Sequence, residues 1–418
     1  MSIERAMEIL RKYPLCDHCL GRLFARLGTG LSNEERGGRA IKDYLLMRIH
    51  ERILNEGLSD ELLNDVRALA LSGHEPSIKF LGNMGGINVS PAKCYVCGDA
   101  IFNRLDEWAS AIANSLRSLG IEFRSFRLGS RVPLDVLNRE LSITTEFNIS
   151  SAESIKRELN RELGKRVSAV LGVPFSREEP DVEAVIDVST GSVETQVMPI
   201  YVSARYRKDH RLVNEETQVR WPIDRVIQAY GGAQDVVIHA GGEDPRGGAR
   251  VLGNGRPVIL QIVRPSKRPD VNDVSLLLKD SSYDITLNNL SRVRASAVVR
   301  MKARVRDYVI TYRVLAITSN SVTDENIKSL HDYFRNRQVV QVFRRGRRVR
   351  KRVSMVYELD GRVVRGGKLV EFLIKCQGNL YIRGGFVHGG FGSVEPSIAG
   401  TLGFNVRPVE IDILNISD

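Results

Sequence analysis

The chain has 418 residues, 42% hydrophobic and 27% charged, with 61 Lys and Arg against 50 Asp and Glu and a formal net charge of +11. That length allows two or three domains with sizeable cores, and the composition is that of an ordinary globular chain, which excludes a disordered or fibrous class. No run of about 18 apolar residues occurs, so no membrane span is expected; the charged, amphipathic start lacks the apolar core of a secretory signal, and the expected compartment is the cytoplasm.

In chain order, the first expected helices are Ile3–Arg11, Asn33–Leu54 and Asp60–Leu71. Four of the five cysteines form two pairs, Cys16-Asp17-His18-Cys19 and Cys94-Tyr95-Val96-Cys97. A C-x2-C knuckle sets two thiolates on one side of a tight turn, and two knuckles complete a tetrahedral zinc shell. A redox pair of the thioredoxin kind competes for either pair alone but does not account for both. Cys16, Cys19, Cys94 and Cys97 are therefore expected to hold a structural zinc that fastens the first segment to the region near residue 95, with His18 a bystander. Cys376, in the apolar run from Val370, reads as a buried core thiol.

From 103 to 182 the expected order is a helix over Leu105–Leu119, a strand over Ile121–Leu128 and a helix over Ala152–Leu171. Between Phe123 and Arg131 apolar residues alternate with arginines. From about 184 the chain is β-rich. Strands are expected over Val182–Val188, Val193–Arg205, Asp235–His239, Val258–Val263, Ala297–Val305, Tyr308–Thr318, Val353–Leu359, Leu369–Cys376 and Glu410–Leu414. Helices are expected only over Pro222–Tyr230 and Asp324–Asn336. Together these imply a mainly antiparallel sheet with helices to one side.

Three stretches of this half carry chemistry. Residues 238–257 present an acidic pair, Glu243-Asp244, in a glycine-dense loop between strands, with arginines at 246, 250 and 256, and Asn254-Gly255 is a hairpin signal. An exposed carboxylate set among arginines suits work on a polyanion. Arg205, Arg207 and Lys208 flank Tyr206, a cluster able to stack on bases and pair with phosphates. Between Arg335 and Arg352 stand nine basic residues and no acidic one. Guanidinium forks match phosphate oxygens, so this run points to nucleic acid, through contacts that are salt-sensitive and carry little sequence information.

The segment Gly241–Pro257 resembles the active-site motif of the archaeal and eukaryotic tRNA pseudouridine synthases that modify the TΨC arm, approximately Gly-Arg-Glu-Asp-x-Asp-x-Arg-x-Leu-Gly-x-Gly-Arg-Pro. Gly241, Glu243, Asp244, Arg250, Leu252, Gly253, Gly255, Arg256 and Pro257 fit it. Gly242 replaces the arginine, and the stretch Pro245–Gly248 is about two residues longer and lacks the second aspartate. The block Leu15–Arg22 resembles the same family's N-terminus, and residues 103–182 resemble its THUMP-type RNA-binding module. Leu380-Tyr381-Ile382-Arg383 resembles its motif of an aliphatic residue followed by a cation, although Gly390 stands where the family continues with aspartate.

The resemblance implies roles. Asp244 is the nucleophile. Ile382 packs the target base, and Arg383 pairs with the catalytic carboxylate, which in a dry cleft would otherwise take up a proton. Tyr312, or Tyr308 on the same face of a strand, stacks on the base. Arg205, Arg207, Lys208, Arg250 and Arg256, with Arg344 and Arg345 of a thumb-like loop, contact RNA.

The expected class is thus α+β: an N-terminal zinc-binding α/β region (1–102), a THUMP-like module (103–182), and a pseudouridine-synthase core of mixed, mainly antiparallel sheet with flanking helices (183–418). The implied reaction isomerises uridine at tRNA positions 54, 55 or both. It needs no organic cofactor, its partner is tRNA, and neither a membrane nor an obligate protein partner is evident. The altered loop after Asp244 supports one alternative, a noncatalytic tRNA-binding protein on the same fold.

Overall fold

The computed structural model describes residues 3–211, 219–240, 249–278, 283–345 and 348–417. The chain forms two compact units, Met1–Met198 and Pro199–Asp418.

The first unit opens with helices Glu4–Lys12 and Asp17–Leu23. A continuous helical run from Asn33 to Glu56 follows, widened to a π-helix over Arg36–Asp43. Further helices include Asp60–Leu71, Leu105–Arg117 and Ile155–Leu171. Leu105–Arg117 buries Leu105, Trp108, Ala109, Ile112, Ala113 and Leu116, the helical spacing that makes one apolar stripe. Three strands complete the unit: β1 (Phe126–Arg131), β2 (Val182–Asp187) and β3 (Val193–Val197). β1 pairs parallel with β2, and β2 antiparallel with β3. Residues 183–197, expected with the last part of the chain, therefore belong to the first unit. The expected strand Val193–Arg205 breaks near Pro199, which has no N–H to give a ladder.

The second unit is built on a sheet of β4 (Ile200–Lys208), β5 (Asp235–Ala240), β6 (Arg250–Val263), β7 (Thr286–Val293), β8 (Val309–Thr318), β9 (Arg337–Arg345), β10 (Arg348–Arg365), β11 (Leu369–Gln377), β12 (Val394–Glu395) and β13 (Val406–Ser417). Their order is β12-β9-β10-β11-β8-β13-β6-β4-β7, with β5 beside β6. All pairs are antiparallel except β13–β6. The mixed, mainly antiparallel α+β class is as expected.

Three expectations are corrected here. Ala297–Val305 is not a strand but the helix Ser296–Ala303 and a 3-10 turn; only Met301 of the helix is buried. Without a strand edge to pair with, the segment satisfies its backbone internally. The basic run from Arg335 is mostly a β9–β10 hairpin rather than an irregular thumb loop. Asn254-Gly255 makes no turn: Gly253 and Gly255 take φ of 57° and 75° but Asn254 stays outside that region, whereas a type I′ turn needs both central residues there. The three form a bulge in β6, where the pairing with β4 jumps from Arg256↔Tyr206 to Val251↔Lys208. A Cβ on Gly253 would lie 2.3 Å from Leu414 O, so only glycine lets β13 come this close.

Candidate active site and metal centre

A strand has two edges, and β6 gives one of them to β4 along most of its length. Its other edge is shared. Arg250 and Val251 pair with Asp412 and Ile413 of β13, whereas Val258–Val263 pair with β5. The sheet therefore splits between β5 and β13, at the place where the Asp244 segment joins β5 to β6. Asp244 lies in residues 241–248, outside the described residues. Its neighbours on either side, Ala240 at the end of β5 and Arg250 at the start of β6, are described.

Side chains replace ladder bonds at the split. Asn254 Nδ2 donates to Ile416 O at 2.6 Å and its Oδ1 accepts from Ile416 N at 3.3 Å. Asp412 of β13 has no solvent exposure. It accepts from Arg211 Nη2 at 2.5 and 2.6 Å, from Arg250 Nη2 at 2.8 Å and from Arg313 Nη1 at 3.2 Å. Arg313 also donates to Glu371 at 2.5 Å. Burial alone would push the Asp412 carboxyl up, but the Arg250 bond and the Arg211 charge outweigh it and hold the group below the ordinary carboxylate value. This network ties β6, β8, β11 and β13 together and fixes the point where the Asp244 segment rejoins the sheet. Sequence reasoning missed Asp412; the signal was a pair of carboxylates, Glu410 and Asp412, at alternate positions of an otherwise apolar stretch, both of which meet Arg211 and Arg313.

An open cavity of about 690 Å³ reaches the end of β5 at Ala240. Its lining runs from Ala240 to Gly378-Asn379-Leu380-Tyr381 and includes Lys302, Arg306, Phe343 and Arg352. Arg352 lies over the Phe343 ring, 5.0 Å from its centroid. Lys302 and Arg306 were also missed. They belong to a second basic stretch, six Lys and Arg from Arg292 to Arg306 with no acidic residue, hidden by the strand reading of that segment.

After Leu380 and Tyr381 the chain enters a π-helical turn, Ile382–Phe386. Such turns recur at functional sites. Arg383 is exposed on it, whereas Ile382 is wholly buried in the unit's core and does not line the cavity. Tyr308 and Tyr312 share one face, as a period of two requires, and both are buried.

The expected RNA-binding cations divide into two sets. Arg205 donates to Asn254 O, Gly255 O and Ile416 O, and so buttresses the bulge. Arg250 is held by Asp412. Arg256, 2% exposed, donates to Tyr206 Oη at 3.3 Å, and Lys208 is also 2% exposed, so neither is a surface contact. All four thus take part in the scaffold, because the strands that carry them lie inside the sheet. Arg207 pairs with Asp209 at the partly exposed end of β4. Arg344 is exposed near the tip of the β9–β10 hairpin, and Arg345 is the last residue of β9.

In the first unit, Cys16, Cys19, Cys94 and Cys97 place their sulfurs within 4.8 Å of one another, and none forms a disulfide. Cys16 and Cys97 Sγ are 3.6 Å apart; a tetrahedral shell with Zn–S of about 2.3 Å spaces sulfurs by about 3.8 Å. The first pair is not a tight turn. Cys16 is the N-cap residue of the helix Asp17–Leu23 and Cys19 lies in its first turn. Burial pushes the Cys19 thiol up, a penalty on the charged form that a bound cation would offset. His18 stands apart: Nδ1 meets Glu158 Oε1 at 2.9 Å and the ring stacks on Phe102. Cys376 is buried in the second unit's core.

Among known proteins, residues 108–187 match the archaeal Pus10 THUMP domain and residues 201–417 match the Pus10 C-terminal family. A tRNA pseudouridine synthase Pus10 of Vulcanisaeta distributa is 86% identical over the whole of both chains. Its counterpart in Caldivirga maquilingensis is 40% identical over 99% of each. A solved Cbf5-Nop10-Gar1 complex resembles 51% of this chain over 48% of its own, at 14% identity and a TM-score of 0.28, too slight a likeness to carry an argument. The class defined by these matches is that of the tRNA pseudouridine synthases, which are isomerases. Within it, the chain belongs to the Pus10 family. Among the described residues no helix is long and apolar enough to cross a membrane.

Proposed function

We propose that this family member isomerises uridine to pseudouridine in the TΨC arm of tRNA, at positions 54, 55 or both, with Asp244 as nucleophile. One observation carries the reading. A single cavity runs from Ala240, which precedes the Asp244 segment, to Tyr381, which precedes Ile382-Arg383, and three cations line it: Lys302, Arg306 and Arg352. An uncharged base attached to a polyanionic backbone needs this kind of site. The target leaves its stack at a cost of a few kcal/mol, which phosphate interactions with those cations offset.

The Asp244 carboxylate acts at the ribose. The N1–C1′ bond breaks, the uracil turns, and C5 bonds to C1′. C5 loses its proton and N1 gains one, so the reaction is balanced without oxidant or organic cofactor. Arg383 keeps the carboxylate ionised and orients it. Tyr308 and Tyr312 shape the sheet beneath the base. Arg207, Arg344 and Arg345 hold the backbone of the arm.

The work divides along the chain. Residues 1–102 hold a zinc ion through Cys16, Cys19, Cys94 and Cys97, where it clamps the fold and takes no part in the chemistry. The THUMP region grips RNA, and the chain from Pro199 catalyses. The compartment that suits a tRNA substrate is the cytoplasm.

Gly242, Gly390 and the lengthened Pro245–Gly248 stretch depart from the family pattern and favour a second reading, tRNA binding without catalysis. The deciding experiment is pseudouridine mapping on an unmodified tRNA transcript with wild type and Asp244→Ala. Product from wild type alone supports the enzyme and its nucleophile. Product from both moves the nucleophile elsewhere. A folded wild type that binds tRNA and makes no product supports the second reading.

A further inference from the structure

Phe391 is 99% exposed. It stands third in Gly389-Gly390-Phe391-Gly392, where all four residues have positive φ, 88°, 52°, 54° and 82°. Glycine adopts that region freely; a phenylalanine there is strained and also leaves its ring in water. The display is firm. Gly389 N donates to Gly385 O at 2.6 Å, in the π-helical turn that carries Ile382 and Arg383. Gly392 N donates to Gly389 O at 2.9 Å, and Val342 N of β9 donates to Ser393 O at 2.7 Å. The backbone is thus fastened to the candidate site on one side and to the basic hairpin on the other. Among the described residues the ring's aromatic neighbour is His388, edge-on at 5.2 Å.

The loop borders an open cavity of about 1410 Å³ that Val340, Val342 and Lys351 also line. Lys351 is directly opposite Val342 in the hairpin, and Arg352 is opposite Gln341. Successive residues of the hairpin face opposite sides, so Val342 and Lys351 serve this cavity while Phe343 and Arg352 serve the candidate active site. The hairpin therefore stands between two cavities and offers a cation to each.

We propose that Phe391 is a stacking platform for an unpaired nucleobase of the substrate RNA, next to the uridine that is isomerised, with Lys351 taking an adjacent phosphate. The proposal rests on the RNA-modifying reading above. A single strained ring, rimmed by glycines at a cavity that a lysine also lines, has the form of an RNA contact: unpaired bases are recognised by stacking on aromatic faces. The residues beside Phe391 in the chain are glycine and serine, which leave both faces of its ring open to a base.

The test compares wild type, Phe391→Ala and Phe391→Trp for binding and single-turnover reaction on an unmodified tRNA transcript. It repeats the binding with a transcript abasic beside the target uridine and with a fully paired duplex of equal length. Phe391→Ala is expected to bind the transcript about tenfold more weakly, with Trp restoring affinity. The abasic transcript should lose affinity for wild type but little further for Phe391→Ala. Unchanged affinity in Phe391→Ala, failure of Trp to restore it, or an equal loss toward the duplex overturns the proposal. A wild type that binds the transcript without forming pseudouridine fails the proposed reaction, and the binding comparisons still decide the role of Phe391.

Discussion

Three guanidiniums, from Arg211, Arg250 and Arg313, converge on the one buried carboxylate of Asp412. Asp412→Asn removes the charge at the centre of the network but leaves Arg211 and Arg313 paired with Glu410 and Arg313 with Glu371, so it is expected to destabilise the second unit by about 1–3 kcal/mol in urea unfolding at neutral pH. The Asp412 pKa is lowered on folding. Its contribution is therefore fully present above the unfolded value, about 3.9, and is lost as pH falls through the folded value. Wild type should lose stability across that acid range, and Asp412→Asn should lose correspondingly less. At the proposed catalytic positions the expected split is different. Asp244→Ala should abolish product while tRNA affinity stays within about threefold, a change worth under 1 kcal/mol. Arg383→Ala should slow single-turnover chemistry more than it weakens binding; an unchanged rate would remove Arg383 from the site. The motif residues were legible because their chemistry is local in the chain. Asp412 was not, because its partners come from strands far apart in sequence.

At the scale of elements, the β9–β10 hairpin puts alternate cations on opposite faces. Replacing Arg350 or Lys351 by Gln should weaken tRNA binding without altering sequence preference. Each phosphate interaction removed in this way should reduce the slope of log affinity against log salt by about 0.7 to 0.9. A slope unchanged by both would exclude the hairpin from the RNA interface. Composition alone made the charge of this segment plain, but not its form, since neighbouring residues at Phe343–Arg344 and Val349–Arg352 are exposed alike and leave no apolar alternation to read. The reverse error fell on Ser296–Ala303, where two valines imitate a strand but no neighbouring edge receives it. Asn254-Gly255 likewise has turn chemistry that the approach of β13 converts into a bulge.

At the scale of the molecule, the two units differ in what holds them. The first has four clustered thiols beside its apolar core, the second, among the described residues, a ten-stranded sheet. Chelator treatment, or Cys94→Ser, should lower the unfolding temperature of the first unit and leave the calorimetric transition of the second in place. A metal-free chain with both transitions unmoved would overturn the zinc assignment. By itself the sequence determined the α+β class, the pairing of the cysteine knuckles into one cluster, the basic character and the family resemblance. Those follow from periodicity, spacing and composition, which are properties of neighbours along the chain. Only the tertiary structure decided that β6 divides one edge between β5 and β13, that Arg205, Arg250 and Arg256 brace the sheet, and that Lys302, Arg306 and Arg352 share a cavity. The physical reason is that burial and pairing depend on which distant strands meet, and a carboxylate or guanidinium takes its role from the partner it meets there.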